Sequence, residues 1–289
     1  MPSSKTREVS ISALLLAVTL VCVAAVLLIT VYLMWAGLPA ISEIGLGNFL
    51  LGKEWASTSS NPKFGILPFI LTSVYGTFGA ILIGVPIGIG AAVFLSKIAK
   101  GPVKRILTSA IDILAGIPSV IYGLIGMLTL VPGIRKLFGL PDGASLLAAI
   151  IVLAVMILPS IIKLSAVALD SVPKEYEEAS LALGSTPMEA YLHVSIPAAR
   201  SGIIASIVLG IGRAIGEAMA IMMVSGNVAN MPSLFGSVRF LTTAIASEMS
   251  YSSGLQRQAL FSIALVLFAF IMIVNALLHL ILKKGKKHE

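Results

Sequence analysis

The chain has 289 residues, of which 57% are hydrophobic and 11% charged, and its formal net charge is +7. Soluble domains carry about a quarter charged residues, so this composition excludes an aqueous globule, and its apolarity excludes intrinsic disorder. The apolar residues are gathered into runs. Val9–Ser42, Phe64–Ser96 and Gln258–Leu282 contain no Asp, Glu, Lys or Arg, and a bilayer crossing needs ~20 such residues. The chain therefore reads as an all-α, polytopic integral membrane protein in contact with lipid. Its excess of Lys and Arg fits cytoplasmic loops rather than a nucleic-acid surface.

Six spans fit the pattern: Ile11–Met34, Leu67–Leu95, Leu107–Val131, Ala144–Leu169, Ser201–Ser225 and Ala259–Leu282. Lys5 and Arg7 precede the first run, as in a signal peptide. That run exceeds the ~7–15 residues of a cleavable apolar region, so it reads as a retained span. The lone Cys22 inside it can make neither an internal disulfide nor a metal cluster. In the second, Gly84-Val85-Pro86-Ile87-Gly88 is a small-residue face suited to helix packing.

With both ends inside, the inner segments carry twelve Lys and Arg: Lys5, Arg7, Lys97, Lys100, Lys104, Arg105, Lys174, Arg200, Lys283, Lys284, Lys286 and Lys287. The outer ones carry six: Lys53, Lys63, Arg135, Lys136, Arg239 and Arg257. This asymmetry predicts cytoplasmic termini. Gly37–Ile66 and Asn227–Gln258 are then the long outer loops.

No catalytic set is visible. Gly47-Asn48-Phe49-Leu50-Leu51-Gly52-Lys53 opens like a P-loop, but Glu54 stands where a Ser or Thr would hold magnesium, and no strand precedes it. His193, His279 and His288 lack metal-ligand spacing. No metal or cofactor is expected, and energy for uphill transport would come from a gradient or from a partner.

Two features carry chemistry. Arg213 lies about twelve residues into the fifth span, near mid-bilayer, where a bare charge costs at least ~2.5 kcal/mol. Glu217, four residues on, would share its helix face, and Gly210, Gly212 and Gly216 thin the same helix. The pair is either a structural ion pair or an anion relay. In the third span, Pro118 and Ser119 offer either a packing kink or a hydroxyl donor at similar depth. Asp112 and Lys163 lie nearer the inner face as a structural pair. The second feature is the segment between spans four and five, at about 170–200. Pro173 suits a first helical position, Glu175, Glu177 and Glu178 suit the early turns, and Gly184 suits a left-handed helix end. Thr186-Pro187-Met188-Glu189 restarts a helix with a capping box, and Pro197 stops it. The result is a compact helical knuckle.

Within that segment, Glu178-Ala179-Ser180, then Gly184 after three intervening residues, then Val194-Ser195-Ile196-Pro197 after nine more, resembles the EAA loop of ATP-binding-cassette (ABC) importer permeases. Three stretches narrow the resemblance: Gly116-Ile117-Pro118-Ser119-Val120-Ile121-Tyr122-Gly123, Gly212-Arg213-Ala214-Ile215-Gly216-Glu217 and Ile245-Ala246-Ser247-Glu248. With the loop, they are similar to the PstC-type permease subunits of phosphate importers. The resemblance runs from about Phe64 to the end and meets the first span by position only. It implies six transmembrane helices in the type I ABC-importer permease fold, in a cell inner membrane. A tail, first helix and outer loop (1–63) would precede the permease domain (64–289). It implies a heterodimer with a PstA-like second permease, two cytoplasmic ATPase subunits and an extracytoplasmic phosphate-binding protein. Arg213, Glu217 and Ser119 would line the substrate pathway. Glu178, Ala179, Gly184 and Pro197 would couple to the ATPases. Competing readings are a permease for sulfate or molybdate and a gradient-driven secondary transporter; the latter leaves the loop unexplained.

Overall fold

The computed structural model describes residues 4–285, with side chains over 11–277. Lys286, Lys287 and His288, and the side chains of Lys5, Arg7, His279, Lys283 and Lys284, lie outside the described residues. The extreme chain ends, whose side of the membrane the charge count addresses, lie outside them too.

Helix is the answer to an apolar surrounding, because each backbone N–H and C=O finds its partner within the segment. In chain order, α1 runs Ser4–Ile44 and α2 Leu46–Leu51. A short antiparallel pair follows, β1 (Trp55–Ala56) and β2 (Lys63–Phe64), with Trp55 opposite Phe64. Next come α3 (Leu67–Val93, extended by a π-helical turn over Phe94–Ile98), α4 (Gly101–Gly116), α5 (Ser119–Ile125), α6 (Val131–Phe138) and α7 (Leu146–Asp170). The knuckle contributes α8 (Lys174–Ala182), α9 (Pro187–Ala190) and α10 (Ile196–Ala198), and the chain closes with α11 (Arg200–Gly216), α12 (Met219–Val224), α13 (Leu241–Glu248) and α14 (Gly254–Gly285). The bundle thus has a hairpin end, bearing β1 and β2, and a knuckle end. The P-loop-like stretch is a short helix over Leu46–Leu51 rather than a loop between a strand and a helix.

Five segments are long and apolar enough to cross a bilayer: Ile11–Ile44, Leu67–Ile98, Ser119–Phe138, Leu146–Asp170 and Gly254–Leu277. α11 has 17 residues and reaches that length only with Pro187–Ala198, from which it bends by 73°, giving up to six crossings. α7 is the axis. Two thirds (67%) of its most apolar stretch is buried, against 0% for α1. α3 and α11 pack on α7 through the core formed by Ala80, Ile150, Leu153, Met156, Ile157, Ile161 and Ala214. A Cβ on Gly84 would come within 2.8 Å of Ile157, and one on Gly88 within 2.7 Å of Ile161. The small-residue face is therefore a packing seam. α1 is different. It meets α14 near Gly37, whose carbonyl accepts from Ser262 Oγ at 2.6 Å, while Leu14, Val21, Leu28 and Trp35 are exposed.

Two spans depart from expectation. The third does not run unbroken over Leu107–Val131. Pro118 cannot donate a backbone hydrogen bond and forces Ile117 out of the helical region, to φ −68°, ψ 126°. The crossing segment begins at Ser119, and α4 before it buries none of its residues in this chain. Tyr122 Oη donates to the Leu114 carbonyl across the break at 2.7 Å. The fifth does not run unbroken over Ser201–Ser225. α11 stops at Gly216, Glu217 is extended (φ −73°, ψ 131°), and α12 restarts at Met219.

Candidate functional site

Midway along the bundle, Arg213 in the last turn of α11 donates from Nη1 to Ser160 Oγ on α7 at 3.3 Å. A cation is well placed there, since a helix C-terminus carries partial negative charge. Ser160 follows Pro159, which removes one amide from the α7 ladder. Tyr122 on α5 lies within reach of the Arg213 charge. Beside the arginine, Gly212 and Gly216 face open space, as does Gly116 at the end of α4; a Cβ on any of them would meet nothing within 4 Å. Gly210 packs instead, with Ile161 3.1 Å from its would-be Cβ. The wall around Arg213 is thus smooth, open and backbone-lined.

Arg213 and Glu217 are brought close in sequence but not into a pair. No ion pair joins them among the described residues, because the helix ends between them. Glu217 instead accepts from the Ala220 amide at 3.0 Å, capping α12, and its carbonyl accepts from Thr242 Oγ1 at 2.7 Å. Ser119 is the first residue of α5, half-buried, and no hydrogen bond joins it to Arg213 or Glu217. Toward the knuckle end, Ser165 and Ser206 share a buried hydroxyl–hydroxyl bond of 2.8 Å. Lys163 and Asp112 pair at 2.6 Å, as the sequence suggested.

The knuckle is built as its residues predict, with three refinements. Gly184 has φ +91° and ends α8. Thr186 and Glu189 form the capping box, the Thr186 amide reaching Glu189 Oε2 at 2.7 Å and the Glu189 amide reaching Thr186 Oγ1 at 3.4 Å. Those bonds from Thr186 hold the Glu189 carboxyl below its usual range. Pro173 is the cap before α8 rather than its first residue. Pro197 does not end the second helix. A π-helical turn over Tyr191–Ser195 widens the coil ahead of the proline, and the chain bends at Ala199. Glu178 and Ala179 are exposed, and the Glu178 carboxylate has no hydrogen bond or ion pair among the described residues, whereas Glu177 turns inward to Lys97 at 2.5 Å and accepts from Ser195 Oγ at 2.8 Å. Burial works against the Glu177 charge, but the bonds from Lys97 and Ser195 and the charges of Lys97 and Lys174 outweigh it and hold its carboxyl below the usual range. Outside this junction the knuckle displays Tyr176, Leu181, Leu183, Met188 and Leu192 to solvent, with Leu183 91% exposed. Exposed apolar side chains thus stand next to exposed carboxylates, a pattern common at interaction surfaces.

At the hairpin end, Glu248 gathers Arg239, Trp55, Ser57 and Gln256 around one carboxylate. Arg239 also holds the Asn227 carbonyl at 3.0 Å and stands 5.9 Å from the Phe69 ring. Glu248, at the end of the Ile245–Glu248 stretch, thus fixes the segments of the hairpin end to one another. Sequence reading missed Ser160, Lys97 and the Glu248 cluster. Ser160 had one local signal, its position after a mid-helix proline; Lys97–Glu177 and the Glu248 contacts with Trp55 and Ser57 join residues far apart in the chain, while Arg239 and Gln256 lie nine and eight positions from Glu248.

A bundle of apolar helices around an open, arginine-bearing wall, with a structured helical knuckle at one end, defines a multi-pass membrane permease. The family of binding-protein-dependent transport system inner membrane components matches residues 84–287. The chain belongs to this family. It is 41% identical over 270 residues to a probable ABC transporter permease protein, YqgH, of Bacillus subtilis, covering 90% of this chain and 87% of that one. It is 34% identical over 293 residues to the phosphate transport system permease protein PstC of Haemophilus influenzae, covering 94% and 91%. Among solved structures it resembles the inward-facing MetNI methionine ABC transporter, with a TM-score of 0.61 at 22% identity over 76% of this chain and 95% of that one. It also resembles a bacterial alginate ABC transporter in complex with an alginate-bound periplasmic protein, with a TM-score of 0.63 at 15% identity over 96% and 94%. The fold is that of type I ABC-importer permeases.

Proposed function

We propose that this chain is the PstC-type permease subunit of an ATP-driven inorganic phosphate importer and forms part of its translocation pathway. The observation that carries this reading is the conjunction of an arginine midway along the bundle, beside exposed Gly212 and Gly216, with a knuckle whose exposed face has no partner among the described residues. Arg213 supplies positive charge and a planar set of donors to an oxyanion, Ser119 a hydroxyl at the neighbouring break, and Glu217 holds the half-helix α12 in place. The chain binds no ATP in this reading. Two ATPase subunits hydrolyse it, and one of them docks on Glu178, Ala179 and the apolar residues around Gly184, with Pro197 setting the exit into α11. A PstA-like second permease completes the pathway, and an extracytoplasmic phosphate-binding protein delivers to the hairpin end. The first 63 residues serve as anchor, and 64–289 as the permease domain.

Expressed with these three partners in cells lacking their own phosphate permeases, the chain should support ATP-dependent uptake of radiolabelled phosphate. Uptake persisting without the ATPase would favour gradient coupling, and uptake of sulfate in place of phosphate would reassign the substrate. Orientation has its own check. In a Cys22→Ala background, Ser59→Cys should react with an impermeant thiol reagent added outside. Ser185→Cys should react only after the membrane is opened. The opposite labelling would invert the topology, and with it the cytoplasmic placement of both termini.

A further inference from the structure

α8 buries none of its residues within this chain, so packing does not fix its position against the spans. What holds it is polar. The π-helical turn Phe94–Ile98 ends α3 at the knuckle end, and its neighbouring side chains grip two different elements. Ser96 Oγ donates to Asp170 Oδ1, at the end of α7, at 2.5 Å. Lys97 Nζ meets Glu177 of α8 at 2.5 Å, and the same carboxylate oxygen accepts from Ser195 Oγ, just before α10, at 2.8 Å. Lys97 and Glu177 are only 11% and 16% exposed, so water competes weakly for the bond. Beneath lie Ala92, Leu95, Leu169, Val172, Ala199 and Ile203, an apolar cluster common to α3, α7 and the knuckle's two ends. π-helical turns are sparse and recur where a helix performs a function.

We infer that Lys97 and Glu177 are positioning residues that tie α8 to α3, so that a displacement of the knuckle moves the inner end of that span. This inference rests on the reading of the knuckle as the ATPase dock. Glu177 is then the inward-facing partner of the outward-facing Glu178: one residue meets the motor, and its neighbour passes the motion on.

Three variants test the tie in the assembled transporter, reconstituted with its ATPase subunits and binding protein: Lys97→Gln, Glu177→Gln, and the exchange Lys97→Glu with Glu177→Lys. The single variants should retain the ATPase subunits and hydrolyse ATP, while phosphate moved per ATP falls by about tenfold, the scale of one charge-assisted hydrogen bond. The exchange should restore at least half of the ratio. A wild-type ratio in both singles, or loss of ATPase subunits that the exchange does not recover, would overturn the tie. A second measurement needs no ATPase. Amide hydrogen exchange over Lys174–Ala182 in the permease should quicken by about tenfold in each single variant and slow again in the exchange, because the local opening that the bond opposes becomes easier. Unchanged exchange in the singles would also overturn the tie. Failure of the wild-type protein to retain ATPase subunits would instead overturn the docking reading, and the exchange data would still decide the tie.

Discussion

Replacing Arg213 with glutamine is expected to cut phosphate uptake by roughly ten- to a hundredfold at matched expression, the effect of losing one charged contact of ~1.5–3 kcal/mol. The protein should still insert and assemble. Arg213 has a single hydrogen-bond partner among the described residues, Ser160 at 3.3 Å, and no ion pair with Glu217. Its charge is therefore not consumed in holding helices together. Arg213→Lys should recover only part of the uptake, since an ammonium lacks the planar fork. Ser160→Ala should be mild, because it leaves the guanidinium in place. Glu217→Gln separates the capping role from a charge role. An amide oxygen can still accept from the Ala220 amide, so uptake should survive if Glu217 only caps α12, and fall with Arg213→Gln if its charge takes part. Near-normal uptake by the Arg213→Gln protein would remove the arginine from the pathway.

Gly184→Val should release the ATPase subunits, with association weakened by about tenfold or more, since the left-handed conformation costs an L-residue ~1–2 kcal/mol and a β-branched one more. The cost lies wholly in the backbone. Gly184 has φ +91°, and an added Cβ would meet nothing within 4 Å. Gly184→Asn should consequently be tolerated, because asparagine visits that region readily. Glu178→Lys should weaken association by a similar factor for a different reason, reversal of a charge at the contact. The Glu178 side chain has no hydrogen bond or ion pair among the described residues, so this variant leaves the knuckle's own structure intact. Co-purification and transport-linked ATP hydrolysis measure both. Wild-type values in Gly184→Val and Glu178→Lys together would remove the dock from this face.

The apolar runs made the spans legible, because a bilayer imposes a length and forbids charge. Local signals made the knuckle legible: Thr186 with Glu189, and Gly184, act within a few residues of themselves. Errors arose where a run of apolar residues hid a break. Hydropathy averages over Pro118 and over Glu217, yet one proline and one extended residue divide their spans. The supposed Arg213–Glu217 face failed for that reason, since the i, i+4 relation exists only inside a continuous helix. By helix-start signal Glu177 and Glu178 are alike, and only the family resemblance singles out Glu178. What separates them is Lys97, 80 positions from Glu177, and no local pattern carries that information.

α1 shows what freedom from neighbours does to a sequence. From Ile11 to Ile29 its surface is exposed, and the chain grips it near its far end, from Tyr32 against Phe261 to Gly37 and Ala40. A stretch that meets no other part of its own chain must be apolar and long enough to cross a bilayer, but no facing side chain of this chain dictates its shape, so Leu, Val, Ile and Ala can replace one another there at little cost to this chain's own packing. The packed seam of Gly84 and Gly88 has no such latitude. Where Ile157 and Ile161 stand in the place of a Cβ, the sequence is held to glycine; along the exposed stretch of α1, no neighbour in this chain holds it to any one apolar residue.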